Sequence, residues 1–203
     1  GNIDKGIDTE IEEDMEQRAV LGVDVARFGA DDSVCYINRG GRVRLLETWS
    51  KATAIETANR IHRMAVDNGV SEVRIDGAGL GGPIVDLVAS LSDNKYIVIS
   101  MLGSAASPAR TRWLNARACN FDNLKIQLAA GKLDIDPDDE RLLDEILMIQ
   151  YKFTSKGAVQ IESKDDMRSR GVKSPDFLDS VVYACADLSA IIESPYGDKK
   201  LGD

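Results

Sequence analysis

The chain has 203 residues, 43% of them hydrophobic, and a formal net charge of −9. That length and apolar content are enough for one domain with a packed core, whereas no apolar run approaches the roughly 18 residues of a membrane span and residues 1–18 lack the apolar centre of a secretory signal. The acidic balance speaks against an autonomous, tight nucleic-acid binder, unless some carboxylates gather around divalent cations and a neighbouring domain shares the work.

Residues 1–18 are dense in acids and poor in apolar periodicity, as expected of a linker, a cut end or a solvated helix. Residues 19–26 (AVLGVDVA) are apolar except for Asp24 and predict a buried strand with one acid near its end. Two further strands follow at 33–38 and 42–49, joined through Arg39-Gly40-Gly41, a turn suited to an antiparallel hairpin. Ile55, Ala58, Ile61, Met64 and Ala65 recur at helical spacing within 53–68, and Asn68-Gly69 is a helix stop. A short strand at 72–76 again ends in an acid, Asp76. A glycine-rich stretch, a helix over 84–91 and a buried strand over 96–101 complete the order β-β-β-α-β-α-β. Three antiparallel strands followed by alternating helices and strands predict an α/β fold with a mixed sheet, the order of the RNase H-like fold.

After a loop of small and basic residues (103–112), helices are predicted over 113–130 and 138–148, and a β-hairpin over 151–162 around Ser155-Lys156-Gly157. Residues 163–174 (SKDDMRSRGVKS) are polar and read as a mobile loop, and a last helix opens at Pro175 and runs to about 191. The domain is expected over 19–192, with 193–203 as a tail. Cys35, Cys119 and Cys185 are odd in number, far apart and set in apolar sequence, so they read as reduced, buried thiols and not as zinc ligands. A cytoplasmic setting follows.

Four carboxylates can carry chemistry. Asp24 and Asp76 close hydrophobic strands, where an unpaired buried carboxylate would cost several kcal/mol. Asp176 and Asp179 lie one turn apart on the last helix and share a face. Brought together, the four would form an all-oxygen site suited to magnesium or manganese, and a pair of such ions can drive phosphodiester hydrolysis without a catalytic histidine. The lone histidine, His62, is given no role. Three of the acids also have a structural reading, Asp24 as a strand-end cap, Asp76 as a turn former and Asp176 as a partner of the helix dipole, whereas Asp179, one turn in, is less readily explained that way. Asp31 and Asp32 suit the turn before the second strand, with contact to metal or water as the other use, and Asp165 and Asp166 suit a solvated loop. Gly77, Gly79, Gly81 and Gly82 match no Walker motif and are read as letting the backbone turn tightly beside Asp76.

Basic residues gather late in the chain: Arg110, Arg112 and Arg117, then Lys152, Lys156, Lys164, Arg168, Arg170 and Lys173. They are candidates for a DNA path that contacts the sugar-phosphate backbone rather than bases, with solvated surface as the competing reading for each.

The segments GVDVARFGADDS, RIDGAGLGGPIVDLV, NARACNFDNLKIQLAAGKLDI and IESKDDMRSRGVKSPDFLDSVVYA together resemble the C-terminal nuclease domain of tailed-phage terminase large subunits, over about residues 19–190. The last segment is the most specific. The resemblance implies an RNase H-like, metal-dependent endonuclease that cuts concatemeric double-stranded DNA during genome packaging in the host cell cytoplasm. It implies Asp24 and Asp76 as the first two metal-binding acids and one of Asp176 and Asp179 as the third. It also implies Mg2+ or Mn2+ as cofactor, two ions in number. The implied partners are double-stranded DNA, a small terminase subunit, a portal protein and an N-terminal ATPase motor, whose Walker motif does not occur here. Three other readings stand beside it. They are a sugar-kinase or actin-like nucleotide binder, a RuvC-like junction resolvase, and a catalytically silent module that docks on DNA or the portal.

Overall fold

The computed structural model describes residues 2–26, 32–79 and 81–189. Among them one mixed sheet is built from β1 (Ala19–Asp24), β2 (Ser33–Arg39), β3 (Arg42–Trp49), β4 (Glu72–Asp76), β5 (Ile97–Met101) and β6 (Asp134–Ile135), in the spatial order β5-β4-β1-β2-β3-β6. β1, β2 and β3 are antiparallel neighbours, while β4 runs parallel to both β1 and β5. This is the expected RNase H-like order: three antiparallel strands first, then parallel ones reached through helices.

Side-chain alternation divides the sheet into two faces. Leu21, Val23, Val73 and Ile75 are fully buried in a core with α2 (Ala54–Asp67) and α3 (Gly81–Ser92). α2 begins where Thr53 and Glu56 cap each other reciprocally and ends where Gly69 takes a φ of +57°. By the period of two, Gly22, Asp24, Arg74 and Asp76 face the opposite layer. That layer consists of α4 (Ala116–Ala129), α5 (Glu140–Met148) and α7 (Asp176–Cys185), packed over Val34, Tyr36, Val43 and Ile135. α7 is the helix laid directly on β1 and β2. A separate hairpin, β7 (Tyr151–Phe153) with β8 (Val159–Ile161), turns through Gly157 at a φ of +81°.

Several expectations shift. The acid-rich N-terminal segment forms α1 (Asn2–Ile7) and lies against α4 and β6: Lys5 Nζ donates to the Ala129 carbonyl at 2.9 Å, and Ile11 N donates to Asp134 Oδ2 at 2.9 Å. The polar stretch expected as a mobile loop contains α6 (Lys164–Ser169), nucleated by a capping box between Ser163 and Asp166. Its hydrophobic anchor is a single residue, Met167, 1% exposed, too little periodicity to announce a helix. The final helix stops at Cys185 rather than near 191, because Arg74 takes the carbonyls of Tyr183 and Ala186 at 3.1 and 2.7 Å and turns the chain there; residues 190–203, including the expected tail, lie outside the described residues. β6 was not expected, since two residues carry no alternation. The three cysteines are free and buried, and no helix among the described residues is long and apolar enough to cross a membrane.

Candidate metal centre

The parallel register places Val23 beside Ile75, so Asp24 and Asp76 emerge side by side at the carboxyl ends of neighbouring strands, only 4% and 7% exposed. α7 is held over them by Ser180, whose Oγ donates to the Gly22 carbonyl at 2.7 Å and accepts from Tyr36 N at 3.1 Å. The helix rests on bare backbone: a Cβ at Gly22 would stand 2.1 Å from the Ser180 carbonyl oxygen and 2.4 Å from Ala184 N. That close seating brings Asp179 and Asp176, on the first turn of α7, above the strand ends. Pro175 supplies no side-chain cap. Glu145 from α5 does so instead, accepting from Leu178 N at 2.7 Å and satisfying one of the free N–H groups of that turn.

Lys164, delivered by α6, sits in the middle. Its Nζ is 3.5 Å from Asp24 Oδ2, 3.6 Å from Asp176 Oδ1 and 3.2 Å from Asp179 Oδ2. From the other side Arg117 Nη1 donates to Asp179 Oδ1 at 2.7 Å. Asp179 is wholly buried, and its Oδ2 accepts no hydrogen bond. Three carboxyls thus share one ammonium, a guanidinium reaches only Asp179, and Asp76 adds a fourth carboxyl with neither as its ion partner. Burial holds Asp24 well above the usual carboxylate range; Lys164 opposes this, and Asp179, Asp176 and Asp76 add to it. Burial by itself would lower Lys164, but Asp24, Asp179 and Asp176 outweigh it and hold the ammonium above its usual value. Among the described residues no three acids, histidines or cysteines stand close enough to grip an ion as they are; the ammonium is wedged among the oxygens. Asp24, Asp76, Lys164 and Asp176 line a single groove of about 720 Å³.

The other residues singled out from the sequence are dispersed. Asp76 also serves its turn, accepting from Ala78 N at 3.0 Å. The glycines after it are explained by close approach: a Cβ at Gly81 would lie 1.7 Å from the Asp76 carbonyl oxygen, and one at Gly77 would lie 1.9 Å from Ser100 Oγ. Asp32 faces the groove and pairs with Arg141 at 3.5 Å, while Asp31 lies outside the described residues. Asp165 pairs with Arg168 on the surface and Asp166 caps α6. His62 bonds the Tyr96 hydroxyl at 2.7 Å.

Of the basic candidates, Lys164, Arg168 and Lys173 line the groove. Arg170 is engaged by Glu162 and Arg112 by Asp122, Lys152 and Lys156 are exposed on the hairpin and its turn, and Arg110 is exposed in its loop. Three contributors went unrecognised in the sequence: Ser180, Glu145 and Arg141. Glu145 and Arg141 owe their places to α5 packing against α7 and Ser180 to α7 packing on β1 and β2; only Ser180, set between Asp179 and an apolar run, stood near a signal.

Neither the scan against family models nor the search of curated proteins gives a match. Solved structures do match. The nuclease domain of the large terminase subunit gp2 of bacterial virus Sf6 superposes with a TM-score of 0.75 at 20% identity, covering 84% of this chain and 88% of that one. A point mutant of the same domain with manganese and beta-thujaplicinol gives 0.76 at 19%, covering 86% and 90%. The chain has the fold of the phage large-terminase nuclease domains. A third such domain, the large terminase nuclease of thermophilic phage G20c with bound magnesium, gives 0.66 at 20%, covering 91% and 94%. The terminase-nuclease fold therefore spans most of the chain.

Proposed function

We propose that this chain is a divalent-metal-dependent endonuclease, the nuclease domain of a terminase large subunit that cuts concatemeric double-stranded DNA during phage genome packaging. The observation that carries the reading is the excess of buried carboxyl over positive charge where Asp24, Asp76 and Asp179 meet. Asp179 Oδ2, buried and facing the Lys164 ammonium at 3.2 Å without a well-formed hydrogen bond, is an oxygen that a hard cation would satisfy better, since a poorly satisfied buried carboxylate oxygen is costly. All the donors are oxygens, the set preferred by magnesium and manganese, and metal ions are named in the solved complexes of the Sf6 and G20c domains.

In this reading Asp24 and Asp76 hold the metal from the strands and Asp179 Oδ2 holds it from the helix, with Asp176, nearer the groove mouth, completing the set. Two bound ions would supply an activated water and neutralise the charge that develops on the phosphate. Arg117 fixes the orientation of Asp179 through Oδ1, leaving Oδ2 directed at the cluster. Lys164 compensates the carboxylates when no cation is present, and its ammonium is placed to approach a phosphate oxygen once one is. The proposed partners are duplex DNA, a small terminase subunit, a portal protein and an ATPase motor, acting in the host cytoplasm.

The test is digestion of supercoiled plasmid with manganese, magnesium or EDTA, alongside a four-way junction. Cutting of plain duplex with either metal and none in EDTA is expected. A strong preference for the junction would favour a resolvase, and no cutting under any condition would leave a docking module.

A further inference from the structure

Arg141 on α5 is held ready for an anion that the chain itself supplies poorly. Its guanidinium lies 4.1 Å over the ring of Phe177, which is 3% exposed and braced edge-on against Tyr36 at 6.2 Å between centroids. The stack fixes the fork's direction yet leaves 57% of the side chain exposed, and its ion partner among the described residues, Asp32, is itself 41% exposed and 3.5 Å away. A charge-assisted pair closes to about 2.7–2.9 Å when it is firm, and an exposed pair at this separation contributes little. Arg141, Lys173 and Ser174 line the groove that holds Asp24, Asp76 and Asp176. Lys173 forms no ion pair among the described residues, and Ser174 Oγ is buried without a hydrogen-bond partner. Arg168, on the same groove, is already paired with Asp165 at 3.0 Å.

We propose that Arg141, Lys173 and Ser174 form a subsite for a backbone phosphate beside the metal centre, with Asp32 standing in for that phosphate when nucleic acid is absent. The planar fork matches the two free oxygens of a phosphodiester, the ammonium adds charge, and the hydroxyl gains the bond it lacks. Because Phe177 follows Asp176 in the chain, a phosphate seated here would be indexed to the metal-binding turn, placing the neighbouring scissile phosphate over the carboxylates. The subsite rests on the nuclease reading for its purpose but not for its binding chemistry.

The probe is a short fluorescent duplex, with binding followed by anisotropy in calcium, a hard dication accepted by the same oxygen donors. Arg141→Gln should bind roughly tenfold more weakly, with the slope of log affinity against log salt reduced by about 0.9. Arg141→Lys should keep the salt slope while recovering only part of the affinity, and Asp32→Asn should bind more tightly than the parent. Manganese binding measured by calorimetry should be the same in Arg141→Gln as in the parent. Unchanged affinity and slope in Arg141→Gln would overturn the subsite, as would a parallel loss of manganese binding, which would place Arg141 in the metal centre instead. If the parent binds duplex through Arg141 yet cuts no plasmid in manganese, the nuclease reading fails and the subsite stands; if the parent cuts and Arg141→Gln binds as the parent does, the reverse holds.

Discussion

The two ends of β4 carry the same kinds of residue and use them in opposite ways. At the start of the strand, Glu72 and Arg74 are buried but satisfied: Arg74 Nε and Nη2 donate to Glu72 Oε2 at 3.0 and 2.8 Å, Nη1 reaches two carbonyls at the end of α7, and Arg18 bonds the other oxygen of Glu72. At the far end, Asp76 joins Asp24 and the two acids of α7 with fewer positive groups than carboxyls, and one oxygen has an ammonium at 3.2 Å but no well-formed hydrogen bond. A buried pair whose bonds are complete fixes one arrangement. A buried cluster short of positive charge is destabilised until something cationic arrives. The first end anchors α7 and the second gives it something to do.

The comparison is tested most severely at the acidic end. Asp24→Asn or Asp76→Asn should lower manganese-dependent plasmid cutting by on the order of a thousandfold, equivalent to about 4 kcal/mol of barrier. Asp24→Asn should also melt no lower than the parent in EDTA at neutral pH. The folded chain holds Asp24 protonated at pH values where the unfolded chain has released the proton, so stability falls with rising pH, and the amide escapes that loss. A lower melting temperature for Asp24→Asn would contradict the account of the cluster as strained.

At the balanced end the effect should fall on stability instead. Arg74→Met takes both donors from one oxygen of the buried Glu72, leaving it only the partly exposed Arg18, and should cost about 3 kcal/mol in denaturant unfolding, with the cutting rate per folded molecule retained. Gly22→Ala forces α7 away from β1 and should cost about 1–3 kcal/mol while also reducing cutting, because the first turn of α7 no longer sits over the strand ends. The smallest effect is expected at Glu145, which burial raises to about 8 from 4.5 against the Leu178 hydrogen bond, with Asp176 and Asp179 adding to the rise. Between those two values the folded chain keeps a proton that the unfolded chain lacks, so stability should decline as pH rises through that window. Melting curves of Glu145→Gln should show a shallower decline over the same range.

Much of this was legible in the sequence, for a definite reason. A strand buried on both faces tolerates an acid only where something compensates it, so Asp24 stood out against an apolar run and Asp76 as the acid closing a short strand before a glycine-rich turn, and the strand order brought them together. Asp176 and Asp179 followed from helical spacing. The pattern left open which of the two lies deeper, because depth depends on how closely α7 seats on Gly22, and a glycine alone does not say which element approaches it. Lys164 was visible as one of many late basic residues, but its central position needs α6, a helix of six residues with too little hydrophobic signal to be expected. Glu145 and Arg141 owe their importance to α5 packing against α7, a tertiary contact with no local signature. Glu72 was the converse: an acid on a strand that drew no notice, and one whose partner was two residues away.

Ser180 has one more implication. By bonding β1 and β2 at once, it locks the helix-borne acids to the strand-borne ones, so floor and ceiling belong to the same stable unit of the molecule. The ammonium that offsets them hangs from a short segment outside the sheet. When the protein begins to come apart under heat or denaturant, segments with few apolar contacts open first. The counter-charge should then depart while the four acids are still assembled, and hydrogen exchange should run faster in α6 than in α7.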